Sequence, residues 1–142
     1  MKKPTDDLLK SLKNKHSIED YFDENDSDIN FATLPELFDN YRVRKNISKA
    51  EVARRSNLNR EYCYELLSGK TGKNPSRDKV IMLCFGIGLN LEEFQQVLKI
   101  GGYAPLYARN SRDAIIIFSI YNNLSVIETN IKLDEYHLEH LC

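Results

Sequence analysis

The segment ISKAEVARRSNLNREYCYELLSGK, residues 47–70, decides the fold that we expect for this chain. It contains two short amphipathic stretches, each preceded by a residue that caps helix N-termini, Ser48 and Asn59. Asn57 lies between the two stretches and belongs to the residue types that tolerate the positive φ of a tight turn. Gly69 follows the second stretch and can take the left-handed conformation that ends many helices. The segment therefore predicts two short helices joined by a turn.

The same capping signals recur on both sides of this segment. Thr33, Ser76 and Asn90 each precede an apolar pattern with helical spacing, so that five helices are expected between residues 33 and 101. Gly and Pro are scarce, with six and four residues in 142. We therefore predict an all-α fold.

Residues 76–106 are repeated at residues 111–141. A shift of 35 residues aligns the two stretches with eight identities in 31 positions, and both begin with Ser-Arg-Asp. A single helical hairpin cannot bury its apolar face alone. We therefore expect a second hairpin over residues 102–142 that packs on the first, although chance similarity between two amphipathic hairpins is the alternative.

The first 30 residues form an acidic arm for which we expect partial order. Leu8, Leu9 and Leu12 predict one short amphipathic helix, and SIEDYF, residues 17–22, predicts a second. Residues 23–30, DENDSDIN, have almost nothing to bury and predict a flexible linker.

Charge is distributed unevenly along the chain. Residues 41–80 carry 11 basic and 4 acidic side chains, a net charge of +7, whereas residues 1–40 carry −5 and residues 81–142 carry −3. A concentrated positive region between acidic flanks is typical of a phosphate-binding surface, because each Lys or Arg near DNA releases counterions. A mixed, solvated surface is the alternative.

Several classes of protein are disfavoured by the composition. The longest apolar runs, such as Val80 to Phe85 and Ala114 to Phe118, are far too short to cross a membrane. Asp6 and Asp7 stand where a secretory signal would need an unbroken apolar stretch, so we expect no export. Cys63, Cys84 and Cys142 form neither a disulfide framework nor a zinc motif, which favours a reducing cytoplasm. No catalytic constellation stands out, so we expect no enzymatic activity, no metal and no cofactor.

Residues 47–70 resemble the helix-turn-helix of the Xre family, the lambda-repressor and Cro-like transcriptional regulators. The resemblance extends over about residues 33–100 and depends on Ser48, Ala53, Asn57 and Gly69 as they stand in this sequence. It implies a lambda-repressor-like helix-turn-helix bundle that binds double-stranded DNA, extended here by a second C-terminal helical hairpin. The expected domains are the acidic, partly ordered arm, residues 1–30; the helix-turn-helix DNA-binding domain, residues 31–101; and the hairpin, residues 102–142.

In the resemblance, the helix over residues 59–68 is the recognition helix that enters the major groove. Steps of 100° per residue place its apolar residues on one side and its polar residues on the other. The candidate base-reading residues are Arg60, Glu61, Tyr64 and Glu65. The candidate phosphate contacts are Arg44, Ser48, Lys49, Arg54, Arg55, Ser68, Lys70 and Lys73.

The expected partner is therefore a DNA duplex, bound by a homodimer, because one recognition helix reads too few base pairs for genomic selectivity. The C-terminal hairpin is the candidate dimer surface, and either the hairpin or the N-terminal arm is a candidate surface for a protein partner. Glu61 and Glu65 place two carboxylates on a face that must approach a polyanion. An alternative function is thus a protein-interaction adaptor that uses the helix-turn-helix bundle as a scaffold.

Overall fold

Seven helices, and no strands, make up residues 33–70 and 74–142, which are the residues that the computed structural model describes. The all-α class is therefore confirmed for this part of the chain. The expectations for residues 1–30 and for Lys73 lie outside it. The helices are α1 (Leu34–Arg44), α2 (Lys49–Ser56), α3 (Arg60–Ser68), α4 (Arg77–Ile87), α5 (Leu91–Gly101), α6 (Ser111–Tyr121) and α7 (Val126–Glu135).

The N-terminus of each of the first five helices is capped by the residue that the sequence predicts. The side chains of Ser48 and Asn59 accept hydrogen bonds of 3.1 Å from backbone N–H groups three residues later. Thr33 and Ser76 cap α1 and α4 in the same way, and Asn90 forms a reciprocal capping box at α5. These bonds satisfy N–H groups that have no partner within the helix.

The two predicted left-handed residues determine where α2 and α3 end. Asn57 has φ 59° and Gly69 has φ 73°. Gly69 is required for a second reason, because a Cβ atom at this position would lie 3.0 Å from Cγ of Pro35. The end of α3 therefore lies directly against the start of α1.

Helix α4 is the central helix of the described structure. Seven of its eleven residues are buried, and it packs on α1, α2 and α5. Its closest approach is to α2 at Gly86, where a Cβ atom would lie 2.7 Å from the backbone oxygen of Val52 and 2.8 Å from Cβ of Ser56. The absence of a side chain at Gly86 thus allows the backbones of α2 and α4 to meet.

We predict that Gly86→Ala lowers the free energy of unfolding by about 1–3 kcal/mol, because the added methyl group must push α2 away from α4. A loss of stability would be the opposite of the usual effect, because alanine normally stabilises a helix relative to glycine by up to about 1 kcal/mol. Urea denaturation followed by circular dichroism measures the change. Lys99→Ala, at an exposed position of α5, is the control and should alter stability by less than about 0.5 kcal/mol. Unchanged or increased stability of Gly86→Ala would contradict this account of the packing.

The two copies of the sequence repeat form two helical hairpins, α4–α5 and α6–α7. Their Ser-Arg-Asp motifs bind each other. Arg77 donates two hydrogen bonds to the carboxylate of Asp113, at 3.0 and 2.9 Å. Arg112, at the position equivalent to Arg77, donates two to Asp78, at 2.9 and 2.8 Å. Both ion pairs are partly buried, so the repeated motif joins the hairpins to one another.

The repeat extends to contacts with the backbone. Nε of Arg77 donates to the carbonyl oxygen of Ala104, and Nε of Arg112 donates to that of Glu139, both at 2.9 Å. The donor and the acceptor of the second bond each lie 35 residues after those of the first. A side-chain amide in each copy also clamps the backbone of a leucine. The pairs are Gln95 with Leu106 and Asn130 with Leu141. The repeat is therefore structural as well as sequential.

The direction of these contacts defines how the hairpins are related. The arginine of each copy binds the aspartate of the other, which is the reciprocal pattern of a two-fold interface. A simple stack would instead place unlike surfaces of the two copies in contact. The hairpins therefore face each other about a pseudo-two-fold axis, and this arrangement was not foreseen from the sequence.

We predict that Arg77→Ala lowers the free energy of unfolding by about 1–3 kcal/mol, because it leaves the buried carboxylate of Asp113 without its cation. Thermal or chemical denaturation measures the change. Arg109→Ala is the control, since Arg109 is an exposed arginine in the same region. Equal losses of stability for the two variants would show that the ion pair between the hairpins contributes nothing specific.

Within the described residues, no helix combines the length and the apolar character that crossing a membrane requires.

Candidate nucleic-acid interface

The inner side of α3 attaches this helix to the rest of the bundle. Cys63, Leu66 and Leu67 are buried, and the helix packs on α1 and α2. On the other side Arg60, Glu61 and Glu65 are exposed, and Tyr64 is half-buried. The division into an apolar and a polar side is the one predicted from the sequence.

The outer side of α3 borders an open depression with a volume of about 710 Å³. Seven of the twelve predicted site residues line it, together with the capping residue of α3. The lining residues are Lys49, Asn59, Arg60, Glu61, Tyr64, Glu65, Ser68 and Lys70. Asn59 was predicted as a cap but not as a site residue. Asn59 stands at the exposed start of the candidate recognition helix, and this position could have identified it as a site residue from the sequence.

Arg60 is held in place by Tyr64, one turn further along α3. Nε of Arg60 donates a hydrogen bond of 3.0 Å to the Tyr64 hydroxyl, and the guanidinium carbon lies 5.4 Å from the centroid of the Tyr64 ring. Within the described part of the chain, the two Nη groups of Arg60 have no hydrogen-bond partner. The guanidinium is therefore oriented while its fork of N–H groups stays available to an external acceptor.

The depression contains charges of both signs. Lys49, Arg60 and Lys70 contribute three positive charges, and Glu61 and Glu65 contribute two negative charges. This balance leaves a net charge of +1. A polyanion that approaches along α3 therefore meets attraction at the cations and repulsion at the two carboxylates.

Arg54 and Arg55 do not line this depression. They project from α2 toward a different groove of about 580 Å³, which Asn57 and the turns of both hairpins also line. Both donate hydrogen bonds to the carboxylate of Glu51, with Nε distances of 3.1 and 2.9 Å. These two bonds lower the pKa of Glu51 to about 2, so its carboxylate is ionised at neutral pH. The structure thus separates the two arginines from the residues around α3.

The remaining predicted phosphate contacts have other positions. Arg44 lies at the end of α1, and its guanidinium carbon is 5.8 Å from the ring centroid of Tyr41. The hydroxyl oxygen of Ser48 accepts a hydrogen bond from the backbone N–H of Glu51 and thereby caps α2. Ser68 does line the depression, and its hydroxyl donates to the carbonyl oxygen of Glu65 at 3.1 Å.

The cysteines differ in their access to solvent. Cys63 and Cys84 are buried, and Cys142 is exposed. Burial raises the pKa of both inner thiols, that of Cys84 strongly. The thiolate, which is the reactive form, is therefore suppressed at both inner positions at neutral pH.

We predict that one thiol of the folded protein reacts rapidly with a thiol-specific reagent, and that all three react after denaturation. Cys142→Ser should remove the fast phase, whereas Cys63→Ala should leave it unchanged. The reaction is followed by the absorbance of the chromophore that the thiol reagent releases. Two or three fast thiols in the folded chain would show that α3 or α4 is less well packed than the structure describes.

No model of a known protein family, no curated protein and no solved structure matches this chain with significance.

Proposed function

We propose that this chain is a transcriptional regulator of the Xre type that binds double-stranded DNA sequence-specifically. In this proposal α2 and α3 are a lambda-repressor-like helix-turn-helix, and the helix over residues 59–68 enters the major groove. The observation that carries the proposal is the outward position of Arg60, Glu61, Tyr64 and Glu65 around one open depression.

The dimensions of α3 support this proposal. Its nine residues correspond to a helix about 13 Å long, and a helix with side chains is about 10–12 Å across. The major groove of a DNA duplex is about 12 Å wide and admits one α-helix. The exposed N-terminal residues of α3 are then the ones closest to the base edges.

Each base-reading residue has a chemical preference. Arg60 can donate two hydrogen bonds to O6 and N7 of guanine, and Glu61 can accept one from N4 of cytosine. Tyr64 orients Arg60 and can contact a thymine methyl group or the sugar–phosphate backbone. Glu65, one turn after Glu61, lies further from the helix start and is proposed as an additional acceptor.

Lys49, Ser68 and Lys70 lie around the edge of the same depression and are proposed to contact phosphates. Ser48 lies at the N-terminus of α2, where backbone N–H groups add a favourable partial charge for a phosphate. Arg44, Arg54 and Arg55 lie outside the depression. We propose that they act on flanking phosphates, away from the bases that α3 reads.

A homodimer in the cytoplasm completes the proposal. One recognition helix contacts only a few base pairs, whereas two helices on a palindromic site double the number of bases read. The predominance of basic residues in positions 41–80 supports association with a polyanion.

We predict that Arg60→Ala weakens binding to a duplex selected from a random pool by roughly tenfold or more, and relaxes the preference for one base. Lys49→Ala should weaken binding to all duplexes alike and reduce the salt dependence by about one counterion. Fluorescence anisotropy across a salt series measures both effects. Lys99→Ala is the control, because Lys99 is an exposed lysine on α5 outside the depression.

The adaptor function remains a second candidate, and the two carboxylates on α3 are the observation that favours it. Glu65→Gln distinguishes the two functions. If α3 meets DNA, removal of this charge should strengthen binding to a mixed-sequence duplex at low salt. If neither the wild-type chain nor Glu65→Gln binds a duplex at low salt, DNA binding is wrong and the adaptor function is favoured.

A further inference from the structure

The first hairpin uses one face to carry the helices that precede it. Gly86 of α4 lies against Val52 and Ser56 of α2. On α5, the side-chain oxygen of Gln96 accepts a hydrogen bond from the hydroxyl group of Tyr41 in α1. Helices α1 and α2 therefore cover this face of the first hairpin.

The equivalent face of the second hairpin is exposed. Shifting by 35 residues places Phe118, Tyr121 and Ile131 at the positions of Leu83, Gly86 and Gln96. Phe118 is 50% exposed, Tyr121 is 70% exposed and Ile131 is 56% exposed, whereas Leu83 is fully buried. The same face is therefore present in both hairpins. In the first hairpin it is covered by α1 and α2, and in the second it is apolar and exposed to solvent.

These side chains lie on α6 and α7, the two helices of the second hairpin. Nζ of Lys132 on α7 lies 5.9 Å from the ring centroid of Phe118 on α6, so the two helices are neighbours at this point. Ile127 lies one turn before Ile131 on α7 and is 59% exposed. We call Phe118, Tyr121, Ile127 and Ile131 the open face. Large apolar surfaces of this kind on soluble proteins mark interaction sites.

We propose that the open face is the interface of a homodimer, in which the second hairpins of two chains pack against each other. Its charges are complementary to themselves. Glu128 and Lys132 are one turn apart along α7, beside the apolar residues. Oε1 of Glu128 accepts a hydrogen bond from the backbone N–H of Ser125, and its Oε2 is the oxygen that a cation of the other copy would meet. In an antiparallel two-fold arrangement, Lys132 of each copy faces Glu128 of the other, so two identical ion pairs form at the rim.

The extent of the open face indicates the strength of the dimer. Four large apolar side chains on each copy correspond to an interface near the lower limit of roughly 1,000 Å² for specific association. We therefore expect a reversible dimer with a dissociation constant on the order of 10 μM.

The role of the dimer rests on the proposed function, in which two chains present two α3 helices to a palindromic site. The dimer itself does not depend on that function for its test, since self-association is measured without DNA. A dimer that binds no duplex would contradict only the proposed function. DNA binding by a chain that stays monomeric would contradict the dimer, both here and in the proposed function, but not the role of α3 in binding DNA.

Sedimentation equilibrium of the full-length wild-type chain, over a concentration range that spans the expected dissociation constant, tests the proposal. The double variant Tyr121→Glu/Ile131→Glu should be monomeric throughout, since it buries two carboxylates on each copy. Val43→Glu, which changes an exposed apolar residue of α1 outside the open face, should dimerise as the wild type does.

Lys132→Glu provides a second test that keeps the apolar residues intact. It places a glutamate opposite Glu128 of the other copy and should weaken the dimer roughly tenfold, with an unchanged circular dichroism spectrum. A wild-type chain that is monomeric at all concentrations would overturn the proposal, and so would a dimer that both sets of open-face variants leave unaffected.

Discussion

The contact between the backbones of α2 and α4 at Gly86 is the constraint on which the rest of the described structure depends. A glycine at this position lets the first helix of the α2–α3 pair lie directly on the central helix, with the backbone oxygen of Val52 as its neighbour. Helix α3 is then held by Cys63, Leu66 and Leu67 on its inner side. Because the apolar side of α3 is used entirely in this packing, its polar side is left to solvent.

The repeat of residues 76–106 shows how one sequence pattern can serve two purposes. Both copies keep the arginine–aspartate pair, which joins the hairpins to each other. Both also keep the amide clamp on a leucine and the capping box, which stabilise each hairpin internally. They differ where the environments differ. Gly86 accommodates the backbone of α2, whereas the equivalent residue, Tyr121, is a large and exposed aromatic residue. The two copies therefore share their mutual interface and diverge on the face that meets other helices.

Much of the local structure could be predicted because its causes are local. Ser48 and Asn59 cap helices with bonds that span three residues, and Asn57 and Gly69 take the positive φ angles that few residue types tolerate. The polar side of α3 follows from helical periodicity alone. The separation of Arg54 and Arg55 from the depression could not be predicted, because it depends on their hydrogen bonds to Glu51 and on the position of the second hairpin.

The sequence by itself determined that residues 33–70 and 74–142 form an all-α structure, where most of its helices begin and end, and which side of α3 is polar. Each of these properties depends on backbone propensities and on spacings of three or four residues. Only the tertiary structure decided that the two Ser-Arg-Asp motifs bind each other, that Gly86 is a point of contact, and that Phe118 and Tyr121 are exposed. These properties depend on which surfaces meet across distances of more than thirty residues along the chain, and no local pattern in the sequence encodes that choice.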